Sequence, residues 1–182
     1  MFSHNGRQQT NVASLCRTPI FSSSSACRRR CKRSSSVTLV ESSLEALALA
    51  ERNLEPFGAA LEVRLARDDV FRFVRRETAG YDLVIVDPPP LARRQGDVAR
   101  AARAYKDALL GALRLAAPEA LLLAFSCSHH VGPELFRKIA FGASLDAGRP
   151  LQVLRELGAP ADHPVSLDHP EGRYLTGLLL RA

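Results

Sequence analysis

At 182 residues, of which 46% are hydrophobic and 24% charged, the chain has the length and balance of a single globular domain. That excludes a large multidomain machine and a wholly disordered polymer, and no apolar run approaches the roughly 18 residues of a membrane-spanning helix. The net charge of +6 suggests a nucleic-acid binder until its distribution is considered: seven of the 25 basic residues lie in residues 1–36, which hold no acidic residue, leaving 18 basic against 19 acidic residues in the body.

Those seven are Arg7, Arg17, Arg28, Arg29, Arg30, Lys32 and Arg33, set among serine runs at 22–25 and 34–36 with no sustained apolar period. Residues 1–36 therefore read as a disordered basic tail, with an organelle transit peptide or a non-native reading frame as alternatives. Cys16, Cys27 and Cys31 also lie there, without the paired knuckles or histidine partners of a zinc site, so no metal is expected. With only Cys127 left in the body and no secretory apolar segment, a reducing, cytoplasmic setting is the default.

From residue 37 to 182 short apolar strands alternate with helical patterns. VTLV (37–40) reads as a buried strand, and Ser42 with Glu45 has capping-box spacing ahead of Leu44, Leu47, Ala48 and Leu54 on one helical face, ended by Pro56 and Gly58. LEVRL (61–65) is the next strand, Asp69 can cap a helix carrying Val70, Phe71 and Val74, and LVIV (83–86) is a fully apolar strand. A long helix over 98–116, the strand ALLLAF (120–125), a helix from Pro133 to about residue 146, and strands LQVL (151–154) and YLTGLLL (174–180) complete the chain. Such alternation implies an α/β fold with right-handed crossovers and a mainly parallel sheet covered on both faces. The last two strands have no helix between them and are expected to make an antiparallel C-terminal edge.

In sheets of this kind ligands sit at the carboxyl ends of the strands. Glu41 follows the first strand, Asp68 and Asp69 the second, Asp87-Pro88-Pro89-Pro90 the third and Ser126-Cys127-Ser128-His129-His130 the fourth. An acidic residue ending an early strand can accept both hydroxyls of a ribose, and an Asp one strand later can take an adenine amine, although helix capping explains Glu41 and Asp69 equally well. Consecutive prolines make a stiff loop able to hold Asp87 and nearby carbonyls towards a flat substrate, or simply terminate a strand.

VTLVESSLEALALAERN, YDLVIVDPPPLAR, AYKDALLGALRL, LLLAFSCSHHV, LDAGR and DHPVSLDHPEGRYLTG, in this order, resemble the carboxyl-terminal catalytic domain of S-adenosylmethionine-dependent 23S ribosomal RNA cytosine-5 methyltransferases. D-P-P alone is shared by many methyltransferases, whereas FSCSHH with LDAGR and the DHP and PEG segments is far more specific. The resemblance implies a seven-stranded, Rossmann-like class I methyltransferase sheet and S-adenosyl-L-methionine as cofactor. It assigns Glu41 to the cofactor ribose, Asp69 and Val70 to the adenine, and Asp87 with Pro88 to the side facing cofactor and base. The family carries a further strand and Gly-rich turn ahead of VTLV, and an amino-terminal RNA-binding PUA module. Nothing in residues 1–36 matches the strand and turn, so the first strand is expected to be missing, the chain truncated, and cofactor binding impaired.

Cytosine C5 is too weak a nucleophile to take a methyl group directly, so a thiolate must first add at C6. Cys127 is the candidate thiol, its alternative being a small core residue, and Asp87 the candidate hydrogen-bonding partner of the base. His129 or His130 can tune the thiol or merely form a turn. Arg93 and Arg94, after the proline loop, and Tyr105 and Lys106, on the long helix, are the candidate contacts to ribosomal RNA, with a solvated helix face as the alternative for the last two. Two other readings stand beside this one: an inactive RNA-binding module, and a nucleic-acid amino-methyltransferase that uses D-P-P without a thiol.

Overall fold

The computed structural model describes residues 12–17, 35–78, 80–169 and 172–182. In chain order it contains β1 (Val12–Arg17), β2 (Ser35–Glu41), α1 (Leu44–Leu54), β3 (Leu61–Arg67), α2 (Val70–Arg76), β4 (Tyr81–Asp87), α3 (Val98–Leu115), β5 (Ala116–Ser126), α4 (Pro133–Ala147), β6 (Gln152–Leu157) and β7 (Thr176–Arg181), with short 3-10 turns at Glu55–Ala60 and Gln95–Asp97. The strands form one seven-stranded sheet in the order β3-β2-β1-β4-β5-β7-β6. β2 pairs parallel with β3 and β4 with β5, while β7 runs antiparallel to both β5 and β6, so the antiparallel C-terminal pair forms as expected.

β1 corrects two expectations. It lies inside the segment read as a disordered tail, and it fills the place between β2 and β4 where a strand was expected to be missing. It runs antiparallel to both neighbours, with Ala13 opposite Val40 on one side and Val86 on the other. Five strands thus point one way and β1 and β7 the other. The remainder of the tail reading, on residues 1–11 and 18–34, lies outside the described residues.

Alternation along the strands sorts the sheet into two unlike faces. Thr38, Val40, Val84, Val86, Leu122, Ala124, Leu178 and Leu180 share one face through the strand registers, and all are buried. α2, α3 and α4 cover it, and Ala101, Tyr105, Ala108, Leu109, Ala112 and Leu113 of α3 form the middle of the core. Right-handedness explains the segregation: the step from β2 outward to β3 opposes the step from β4 to β5, so their crossover helices must lie on opposite faces. On the second face α1 reaches only β2 and β3, and Leu83, Ile85, Leu123, Phe125 and Leu179 stay partly exposed, with Leu121 exposed. The expectation of a sheet covered on both faces is therefore corrected: among the described residues no helix covers the second face over β4, β5 and β7.

Local chemistry sets the helix ends. Ser43, not Ser42, caps α1, its hydroxyl accepting from the Ala46 amide at 3.3 Å, and of the predicted apolar face Leu47 is buried while Leu44 is 57% exposed. Asp69 caps α2 as expected, accepting from the Arg72 amide at 3.0 Å. α4 ends on Gly148, whose φ of 63° is the left-handed conformation that closes a helix with least strain in glycine. That turn delivers Arg149 to the end of α3, where its guanidinium donates to the carbonyls of Leu113 and Ala116, both at 2.6 Å, and Ala117 at 2.8 Å. The LDAGR segment is thus a structural clamp.

α2 and α3 meet where Gly111 faces Val74. A Cβ on Gly111 would stand 2.5 Å from Val74 Cγ2 and 3.0 Å from its Cβ, closer than packed side chains allow. Gly111→Ala is expected to lower stability by about 1 kcal/mol, overpacking outweighing the gain in helix propensity. Adding Val74→Ala should recover part of the melting temperature. Equal melting temperatures for Gly111→Ala and the parent would show that the two helices separate freely.

Candidate active site

The carboxyl ends of β2, β3, β4 and β5 lie along one edge of the sheet and carry Glu41, Asp68, Asp87 and, one residue beyond β5, Cys127. Glu41 is 3% exposed. Its Oε1 accepts from the Ser43 amide at 2.7 Å and from the Ser42 hydroxyl at 3.2 Å, whereas Oε2 is buried without a hydrogen-bond partner among the described residues. A buried acceptor left unsatisfied is costly, so this oxygen is suited to a ligand hydroxyl. The cap of α1 is Ser43, and Glu41 Oε1 takes the Ser43 amide at the entrance of the helix. Asp69 spends one oxygen on the α2 cap beside buried Val70, and Asp68 is engaged by Arg76 and, at 3.9 Å, by Arg72.

Asp87 and Cys127 come together because β4 and β5 are parallel neighbours in register, Val86 facing Ala124. Pro88 is buried, and its carbonyl accepts from the Cys127 thiol at 3.6 Å. Burial pushes the Cys127 thiol above its ordinary value and the Asp87 charge pushes it further, its own backbone hydrogen bond partly opposing them. Partial burial likewise raises the Asp87 carboxyl, although the residue keeps an exposed side. Ionising both is disfavoured, so the pair is built to hold at least one proton until a substrate or cofactor changes the local field. His129 and His130 pack edge to face with ring centres 5.4 Å apart, and neither hydrogen bonds to the thiol among the described residues.

The chain has relatives among known proteins. No family model matches the chain. The protein called ribosomal RNA large subunit methyltransferase I is 42% identical over 147 residues in Tolumonas auensis and 39% identical over 149 residues in Klebsiella pneumoniae, covering 79% and 80% of this chain. The chain spans 37% of the length of these curated relatives. Among solved structures, SMU.776, a methyltransferase complexed with SAH, aligns over 80% of this chain and 38% of its own, with a TM-score of 0.63 and 21% identity. A methyltransferase homologue protein from Pyrococcus horikoshii aligns over 78% of this chain and 52% of its own, with a TM-score of 0.56 and 19% identity. The chain has the Rossmann-like methyltransferase fold.

Placed on that fold, the four candidate RNA contacts separate. Arg93 and Arg94 are exposed on the loop beyond Asp87, Arg94 lying 3.5 Å from Asp97. Tyr105 is corrected: it is 1% exposed, packs edge-on against Phe136, and bonds through its hydroxyl to Ser126 and Ser128. Lys106 is part-exposed, its ammonium meeting Asp146 at 2.8 Å in the last turn of α4. Ser126 and Ser128, which the sequence reading named after the fourth strand without giving them a role, are both buried on either side of Cys127. No group of three or more His, Cys, Asp or Glu among the described residues is placed to hold a metal ion, and no described helix is long and apolar enough to cross a membrane.

The raised Asp87 value carries a sign for stability. The folded chain keeps this proton where the unfolded chain has lost it, so stability is lost as pH rises from the ordinary 3.8 through the folded value. Asp87→Asn is expected to raise the melting temperature at neutral pH and to lose that advantage in acid below the window. A melting temperature at neutral pH unchanged or lower than the parent's would mean that the carboxylate is better solvated than its setting implies.

Proposed function

We propose that this chain is the catalytic portion of an S-adenosylmethionine-dependent methyltransferase that acts on C5 of a cytosine in large-subunit ribosomal RNA, with Cys127 as nucleophile. The observation that carries the reading is the Cys127 thiol at the mouth of β5, with Sγ against the carbonyl of Pro88, the residue that follows Asp87 at the end of β4. The relatives' name, ribosomal RNA large subunit methyltransferase I, supports the substrate class. The unsatisfied Oε2 of Glu41 fits a ribose hydroxyl, and Asp69 with Val70, at the start of α2, would border the adenine. When bound, the cofactor supplies an electrophilic methyl group.

The chain's own residues do the rest. The Cys127 thiolate adds to C6 of the cytosine, and the electron pair displaced onto C5 makes that carbon nucleophilic. Asp87 hydrogen bonds to the ring while charge builds there, and Pro88 fixes the loop that presents it. After methylation a base removes the C5 proton, and the returning electron pair expels the Cys127 thiolate. Arg93 and Arg94 would meet RNA phosphates beside the cleft. Because β1 begins beside Asp87 instead of ending there, Val12 being opposite Asp87, we expect cofactor binding to be weak.

A 5-fluorocytosine-substituted ribosomal RNA fragment tests the reading, since fluorine cannot leave as a proton does and the covalent adduct should accumulate on Cys127. Cys127→Ser should abolish the adduct and lower methyl transfer at least ~100-fold. Methyl transfer that survives in both Cys127→Ser and Cys127→Ala would favour an amino-methyltransferase working through Asp87-Pro88-Pro89 alone, and RNA binding without any transfer would favour a binding module.

A further inference from the structure

Three buried hydroxyls bond to one another beside the candidate nucleophile. Ser126 Oγ donates to Tyr105 Oη at 3.1 Å, and Tyr105 Oη and Ser128 Oγ share a bond of 2.9 Å. Ser126 Oγ also accepts from the Ser128 amide at 3.3 Å, and Ser128 Oγ accepts from the Ala92 amide at 3.1 Å. The residues on both sides of Cys127 are thereby tied to one phenol, and so is the loop of Pro88, whose carbonyl receives the thiol four residues before Ala92. The phenol cannot drift: its ring stands edge-on to Phe136 at 5.6 Å and 84°, on the central helix of the core. Hydroxyls this deeply buried would be expensive to leave unpaired, so breaking one bond disturbs the ring of bonds as a whole.

We propose that Tyr105 is a positioning residue for Cys127, its hydroxyl holding the Ser126-Cys127-Ser128 loop and the Asp87-Pro88 loop in the one arrangement that sets Sγ against the Pro88 carbonyl. The proposal rests on Cys127 being the nucleophile. Tyr105 touches no reacting atom and acts through the two serines. Without its hydroxyl both serines lose a partner that solvent cannot replace, the loop relaxes, and Sγ moves outwards from its burial and away from Asp87.

Tyr105→Phe in the full chain tests this with a readout that needs no methyl transfer. Alkylation of Cys127 by iodoacetamide is followed from neutral to alkaline pH by peptide mass spectrometry, which counts Cys16, Cys27 and Cys31 separately. The titratable group that acts on the thiol is Asp87 from the β4 end; His129 and His130 follow in the same loop and pack against each other. The rate at neutral pH should rise at least about fivefold and the midpoint of its pH profile should fall, because relaxation removes both influences that hold the thiol protonated. Ser128→Ala should do the same, and it decides the matter if Tyr105→Phe does not fold. Tyr81→Phe is the control: Tyr81 is also buried, its hydroxyl donates to Thr38 Oγ1 at 3.3 Å, and it sits at the opposite end of β4 from Asp87. Rate and midpoint within about twofold of the parent in Tyr105→Phe and Ser128→Ala, or equal changes in Tyr81→Phe, would overturn the proposal. Failure of the nucleophile reading shows separately, as methyl transfer that persists in Cys127→Ser whatever the alkylation rates.

Discussion

Arg149→Ala should cost about 3 kcal/mol and lower the melting temperature by roughly 6–12 °C, a large part of the ~5–15 kcal/mol that holds a domain folded. One guanidinium serves three carbonyls at the α3–β5 junction, at 2.6, 2.6 and 2.8 Å, and bonds from a charged donor are the stronger kind. The substitution leaves those acceptors without their partner in a half-buried place, while the bond from Ser144 Oγ to the backbone carbonyl of residue 149, 2.7 Å, does not depend on the side chain. Arg149→Lys should recover only part of the loss, because an ammonium cannot present the same planar fork. Thermal unfolding of the three proteins settles it. A loss below ~1 kcal/mol in the alanine variant would mean that water satisfies the carbonyls and that the clamp is incidental.

Glu41→Gln is expected to move stability and ligand binding in opposite directions. In the free protein it removes a buried carboxylate oxygen that has no partner, so the melting temperature should rise. The amide replaces an acceptor by a donor, and a ribose diol needs acceptors on both oxygens. Parental binding of S-adenosylmethionine is expected to be weak, with a Kd above ~100 μM or about −5.5 kcal/mol, and the variant should bind at least ~10-fold more weakly still. Isothermal titration reads both. Equal affinities in parent and variant would remove Glu41 from the cofactor site.

The strands that proved easiest to read were those with a continuous apolar run. VTLV and LVIV became β2 and β4 because both are inner strands, buried on the helix face through Val40, Val84 and Val86. Val12–Arg17 was not legible, since VASLCR is short, interrupted by Ser14 and Arg17 and flanked by Asn11 and Thr18, and its extended form is supplied by neighbours on both sides. The strand-end rule singled out Glu41, Asp87 and Cys127, which lie along one edge of the sheet. It did not distinguish Tyr105 from Lys106, adjacent residues on a helix whose turn sends one into the core and the other to Asp146. Ser42 and Ser43 differ in the same way, as a one-residue choice of cap that only the backbone entering α1 decides.

The reversed central strand has a mechanical consequence. Among the described residues β3-β2 and β4-β5-β7-β6 share no ladder with each other and are stitched into one sheet through β1. The first strand of the chain therefore works as a zip between two half-sheets, and one side of it cannot close until residues 81–87 exist, a sequence separation typical of slow, late pairing. Amide hydrogen exchange should report this as coupled opening: weakening β1, for instance with Ala13→Pro, should expose the facing amides of β2 and β4 together while those between β5 and β7 stay protected.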